Sequence, residues 1–233
     1  MGTLDKRFNR EATPEPITSV GEYRGERVVR IAATQLGAKF SKAEASRIVS
    51  EWVDFLSAGP SPIEELAFVT RTPRRLFESL AGQSQLRSLA VKWGDYDDLS
   101  VLHTMSQLAV LQLRGASSVR SVEPLTELRN LGALLVESLR HARDLSPIGR
   151  MEALTALDLG GNWMSPRVAY IDSIAFLRQM PQLTSLLLHT VIVDDLDYSP
   201  ILELPKLEAV RVMKTRGMRP TYEELVASTP WKA

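Results

Sequence analysis

One short pattern recurs seven times along the chain and constrains everything else. The segments IEELAF, LRSLAV, LAVLQL, LGALLV, LTALDL, LTSLLL and LEAVRV begin at Ile63, Leu86, Leu108, Leu131, Leu154, Leu183 and Leu207. Their first, fourth and sixth places are all Leu, Ile, Val or Phe. In a chain that is 44% hydrophobic, chance agreement at that many places is on the order of 10⁻⁸ before freedom of register is allowed. The steps between copies are 23, 22, 23, 23, 29 and 24 residues. A period of this size means a solenoid, in which each unit buries its apolar face only against its neighbours.

The second half of each unit has its own rhythm. Apolar residues stand three apart in the sets Leu99, Leu102, Met105; Val119, Val122, Leu125, Leu128; Leu145, Ile148, Met151; and Ile171, Ile174, Leu177, Met180. Proline recurs nearby at Pro124, Pro147 and Pro200. Spacing by three aligns side chains on one face of a 3₁₀ turn, so this half is expected to form a short 3₁₀ or extended back wall rather than a full helix.

The segments SVEPLTELRNL (residues 121–131) and DLSPIGRMEAL (residues 144–154) resemble the 22-residue leucine-rich repeats of bacterial internalins. The resemblance covers residues 63 to about 212. It implies an α/β solenoid, a horseshoe whose parallel β-sheet lines the concave side and which binds other proteins. The pattern departs from the family at the asparagine that follows the strand. That residue is present only as Asn162, and the matching positions hold Arg71, Gly94, Ala116, Leu139, Val191 and Thr215. Less regular loops are therefore expected. The host-receptor role of internalins is not expected to carry over, since the secretion and wall-anchoring segments it needs are not in this sequence.

A repeat stack exposes apolar surface and open strand edges at both ends and needs caps. Residues 23–62 read as a strand-helix cap. RVVRIA (27–32) has strand character, and Ser41 with Glu44 forms a capping box. Ala45, Ile48, Val49, Trp52, Val53 and Leu56 then make a helical stripe that ends at Gly59-Pro60. Trp52 is read as core. Residues 213–233 form a C-terminal cap with a second capping box at Thr221 and Glu224, a short helix over about 222–228, and Trp231 as a seal. Residues 1–22 are polar, contain two prolines, and are expected to be a flexible segment. Everything from residue 23 onward reads as one continuous domain, with the seven repeats over 63–212.

Composition narrows function by exclusion. Lysine and arginine total 28, as do aspartate and glutamate, so no basic excess points to nucleic acid or an anionic membrane. There is no cysteine, which removes disulfides, thiolate metal sites and a thioester nucleophile. That composition, with no apolar signal region in MGTLDKRFNREATPEPITS, leads us to expect a cytoplasmic location. His103, His141 and His189 fall in unrelated phases, and no catalytic or nucleotide fingerprint is present. The acidic clusters Asp95, Asp97, Asp98 and Asp194, Asp195, Asp197 lack calcium-loop spacing and read as solvated loop charge. No enzyme activity, metal or cofactor is expected.

Strand alternation specifies which residues face outward from the concave sheet. The fifth-place row is Ala67, Ala90, Gln112, Leu135, Asp158, Leu187 and Arg211; the seventh-place row is Val69, Lys92, Arg114, Glu137, Gly160, His189 and Met213. Trp93 lies one residue beyond. Leu135 and Leu187 are expected to be exposed, and an outward leucine with no folding rationale marks an interface. The long fifth step adds about six residues, and Trp163, Arg167 and Tyr170 in that stretch are a candidate anchor set. The leading expectation is a module, monomeric when free, that grips a protein partner with Lys92, Trp93, Gln112, Arg114, Leu135, Glu137, Asp158, Leu187, His189, Arg211 and the 162–170 loop. A sharper form is an immunity or inhibitor protein that neutralises a toxin. Two alternatives stand beside it: a metal-dependent protein or enzyme using the acidic clusters, and a structural scaffold or self-associating subunit.

Overall fold

The computed structural model describes residues 3–9, 13–161 and 168–232. Each sequence repeat becomes one turn of a right-angled coil: a strand, a corner, a back-wall turn and a return. The concave side is an eight-stranded parallel sheet in the order β1-β2-β3-β4-β5-β6-β8-β10. Seven of its strands coincide with the repeat motifs: β2 (Glu65–Thr72), β3 (Ser88–Gly94), β4 (Val110–Arg114), β5 (Ala133–Glu137), β6 (Ala156–Gly160), β8 (Ser185–His189) and β10 (Ala209–Val212). The eighth, β1 (Val28–Ile31), pairs in parallel with β2 through Val28↔Glu65 to Ile31↔Phe68.

The register is continuous from β3 to β10, while the β2–β3 pairing shifts between Phe68 and Arg71. Leu89, Leu111, Leu134, Leu157, Leu186 and Val210 align as one inward row. Every member of that row is buried. Because side chains alternate along a strand, the residues between them face the concave side. The inward rows meet the back wall in a single long core that runs from Val29 to Leu225.

The back wall is made of 3₁₀ turns at Ser100–Thr104, Glu123–Glu127, Ser146–Arg150, Ala175–Gln179 and Ser199–Glu203. The first repeat differs, with a short helix α2 (Arg74–Glu78) running into a 3₁₀ turn at Ser79–Gly82. The turns share an entry device. A side-chain oxygen accepts from the backbone N–H two residues on: Asp98 from Ser100, Ser121 from Glu123, Asp144 from Ser146, Ser173 from Ala175 and Asp197 from Ser199. These are Asx and serine turns, which tie the chain locally before the 3₁₀ segment begins.

The acidic clusters are absorbed by these loops. Asp98 and Asp197 belong to the turns, and Asp95 and Asp97 pair with Arg71 and Arg74. Asp194 pairs with Arg143, which also holds Asp172 at 2.9 Å. Among the described residues no group of three or more His, Cys, Asp or Glu is arranged to hold a metal ion.

The caps close both ends. Helix α1 (Lys42–Ser57) starts at the Ser41–Glu44 capping box and buries Ile48, Val49, Trp52 and Leu56. The Trp52 indole N–H donates to the Thr18 carbonyl at 2.8 Å. Ile17 forms a backbone bridge with Ile31 on the open edge of β1. At the far end α3 (Tyr222–Ser228) starts at the Thr221–Glu224 capping box and buries Leu225. Trp231 meets the Tyr222 ring edge-on at 5.2 Å, and its backbone bridges Val210 on β10.

Two features lie beyond the repeat pattern. The long fifth step contributes β7 (Ala169–Ile171), which pairs with β9 (Val191–Val193) in a separate two-stranded parallel sheet. The N-terminal segment is not merely a polar leader. Residues 6–8 form a 3₁₀ turn that packs on the concave side of β4 and β5, and Phe8 is buried there. Polar composition did not reveal this, because one aromatic ring and one arginine make the contacts.

Candidate functional site

The centre of the concave face is a line of polar groups on adjacent strands. Register places Arg114 beside Glu137, Glu137 beside Gly160, and Gly160 beside His189. One pleat away, the row reads Gln112, Leu135, Asp158, Leu187 and Arg211. Seven of the expected residues, Gln112, Arg114, Leu135, Glu137, Asp158, Leu187 and His189, are thus brought together on β4, β5, β6 and β8.

Two buried carboxylates organise this cluster. Glu137 accepts a hydrogen bond from Arg114 Nη1 at 2.9 Å, and Arg114 Nη2 donates to Gln112 at 3.1 Å. Burial pushes the Glu137 carboxyl above the ordinary glutamate range, outweighing the neighbouring Arg114 and His189. Asp158 is 2% exposed. His189 Nε2 lies 3.3 Å from its Oδ1, an ion pair by distance if the imidazole is protonated, yet among the described residues neither carboxylate oxygen has a hydrogen-bond partner.

The imidazole reaches Asp158 by crossing Gly160. A Cβ on Gly160 would fall on the His189 ring, so any larger residue there obliges the ring to move. Sequence alone placed this glycine in the outward seventh-place row. It is the last residue of β6 and the seat of the histidine. His103, by contrast, turns to the Ser100 carbonyl within its own back-wall turn.

The expectation that Leu135 and Leu187 are exposed is corrected. Leu135 is 0% and Leu187 4% exposed. Leu135 packs with Ala133 and Ala156 beneath Phe8, in an apolar cluster separate from the main core. A strand pattern states which face a side chain takes, but not whether another segment covers that face. Phe8, Arg7, Gly132 and Thr155 were not identified from sequence. The only signal was the aromatic ring in the otherwise polar stretch DKRFNRE.

The remaining candidates are spread out. Trp93 is 38% exposed at the end of β3, with the Arg71 guanidinium 5.8 Å from its ring centroid. Lys92 beside it is exposed, and Arg211 on β10 is half-buried. Tyr170 is 48% exposed but belongs to β7, not to the concave sheet. Trp163 and Arg167 lie outside the described residues.

Arranged this way, the site can present hydrogen-bond donors and one aromatic ring from a rigid floor. Solved structures with the same coil share its shape. A leucine-rich-repeat protein from Leptospira interrogans superposes with a TM-score of 0.61 at 12% identity, covering 94% of this chain and 52% of that one. An internalin from Listeria monocytogenes superposes with a TM-score of 0.52 at 16% identity, covering 79% of this chain and 45% of that one.

The fold is a leucine-rich-repeat solenoid of the internalin-like class.

This leucine-rich-repeat chain spans about half the length of these two proteins. No protein-family model and no curated protein sequence matches it. Among the described residues of the solenoid, no helix is long and apolar enough to cross a membrane.

Proposed function

We propose that this solenoid is a non-enzymatic protein-binding module that grips a protein partner with the concave face around Arg114 and His189. One observation carries the reading: two carboxylates are buried on the concave face, and each sits beside a donor left partly exposed. Glu137 holds Arg114, and Asp158 faces His189. Burying carboxyl oxygens without full hydrogen bonding costs stability, by roughly 1–3 kcal/mol per group. The return on that cost is orientation, since a donor already fixed in place loses little entropy when it binds.

The outward chemistry of the site is cationic and aromatic. Arg114 and His189 lie at the centre, Lys92 and Trp93 toward one side, and Arg211 toward the other. Surfaces of this type concentrate binding energy in a few arginine and aromatic anchors. A partner presenting carboxylates to the Arg114–His189 line fits best. Tyr170, exposed on β7, would extend the grip beyond the concave sheet. A finer form of the proposal is a cytoplasmic immunity or inhibitor protein that neutralises a toxin. A single grasping face and a chain without cysteine suit that role.

The test is affinity capture from an extract of the source organism. Wild type, an Arg114→Ala/His189→Ala variant and a control variant at the exposed Leu202 are compared. The reading expects one protein to be retained by wild type and control and lost by the double variant. Equal recovery by all three removes the concave face from consideration.

A further inference from the structure

The recess beside the polar line already has an occupant, which indicates what chemistry it accepts. Phe8 lies against Ala133, Leu135 and Ala156, with Val110 at the edge. Arg7 Nη1 donates to the Gly132 carbonyl at 3.2 Å, and Nη2 donates to the Thr155 hydroxyl at 3.0 Å. Asp5 braces the same guanidinium at 2.9 and 2.8 Å.

Three features liken this contact to a docked peptide rather than a member of the core. Phe8 belongs to a small cluster apart from the long core of the repeats. The floor of the recess is built from Gly132, Ala133 and Ala156, and a Cβ on Gly132 would lie 3.1 Å from Arg7 Nη1. The repeats therefore carry small residues where an incoming arginine and ring must fit. Finally, open space borders the contact on one side. A cavity of about 150 Å³ separates Phe8, Thr13 and Pro14 from the strands beneath, where Ala67, Ala90 and Gln112 face it. Beyond the cavity the chain is tied to β1, where Arg30 donates to the Pro14 carbonyl at 3.0 Å and Ile17 bridges Ile31.

We propose that this recess recognises an arginine–aromatic pair on a protein partner, and that Arg7 and Phe8 fill it as an internal stand-in which the partner displaces. The proposal rests on the concave-face reading above, and deepens it by naming the partner segment. An arginine followed by an aromatic residue would place its guanidinium on the Gly132 carbonyl and Thr155, and its ring on Leu135.

The test uses the full chain with Arg7→Ala and Phe8→Ala, which empties the recess. The probe is a fluorescent synthetic peptide with the sequence of residues 1–12, followed by anisotropy. The peptide is expected to bind this variant at least about tenfold more tightly than wild type, and to lose at least about tenfold when its own arginine and phenylalanine are replaced by alanine. Adding Thr155→Val to the emptied chain should weaken the peptide severalfold, with the melt still cooperative. No binding to the emptied chain, or equal binding to both chains, overturns the proposal. So does loss of a cooperative melt in the emptied chain, which would make residues 3–9 part of the folding core. Peptide binding without any captured protein would uphold the recess and defeat the partner reading. A captured protein held equally by wild type and the emptied chain would do the reverse.

Discussion

At the scale of single residues, Gly160 and His189 form a matched pair. Gly160→Ala puts a methyl where the imidazole lies, and overpacking of this kind costs about 1–3 kcal/mol. Removing the ring in the same chain, as Gly160→Ala/His189→Ala, should recover most of that loss. Urea unfolding of the two singles and the double would give the coupling, and additive losses would show that the ring has room elsewhere. Glu137 supplies a pH signature. A carboxyl whose folded pKa lies above its unfolded value holds more protons folded than unfolded between the two, so its contribution to stability falls as pH rises through that window. Glu137→Gln cannot titrate. It should match wild type below the usual glutamate range and become the more stable of the two at neutral pH. Unfolding midpoints at acid and neutral pH check this, and the opposite crossing would mean that Arg114 outweighs burial. The strand rows made the facing of both residues legible in sequence. The seating of one against the other depends on which repeats are neighbours.

At the scale of elements, the turn device explains why the missing asparagines are tolerated. Ala116, Leu139 and Val191 stand at asparagine positions and are buried as apolar corners. The loop backbone is instead tied a few residues later by Asp98, Ser121, Asp144, Ser173 and Asp197. Asp144→Ala removes one such bond and should cost about 1 kcal/mol. Asp144→Ser should retain most of it, because Ser121 and Ser173 do the same work. Thermal melting distinguishes the two, and equal losses would assign the effect to charge rather than to the turn. The back-wall turns were readable because a spacing of three is local. The β7–β9 sheet was not, because each strand has three residues and the pairing joins segments more than twenty residues apart.

At the scale of the whole molecule, the solenoid is held by neighbour-to-neighbour contacts, so its ends matter more than their size suggests. Trp52 is fully buried beneath the first repeat, bonded to Thr18 and edge-on to Phe55 at 5.7 Å. Trp52→Ala should cost about 3–5 kcal/mol. Because the lost contacts are at one end, hydrogen exchange should rise first in β1 and β2 and last in β8 and β10. Uniform loss of protection would mean that the stack unfolds as one unit. The N-terminal segment crosses the other face of the same sheet, which links the cap to the centre of the concave side.

The amino-acid order by itself determined the period, the strand register, the back-wall turns and both caps. These follow from local spacing, from alternation along a strand and from side chains that satisfy backbone groups nearby. Only the tertiary structure decided that Leu135 and Leu187 are covered, that Phe8 and Arg7 fill the recess, and that His189 rests on Gly160. Each of those depends on segments far apart in the chain meeting in space, and hydrophobic periodicity carries no record of which segment will arrive.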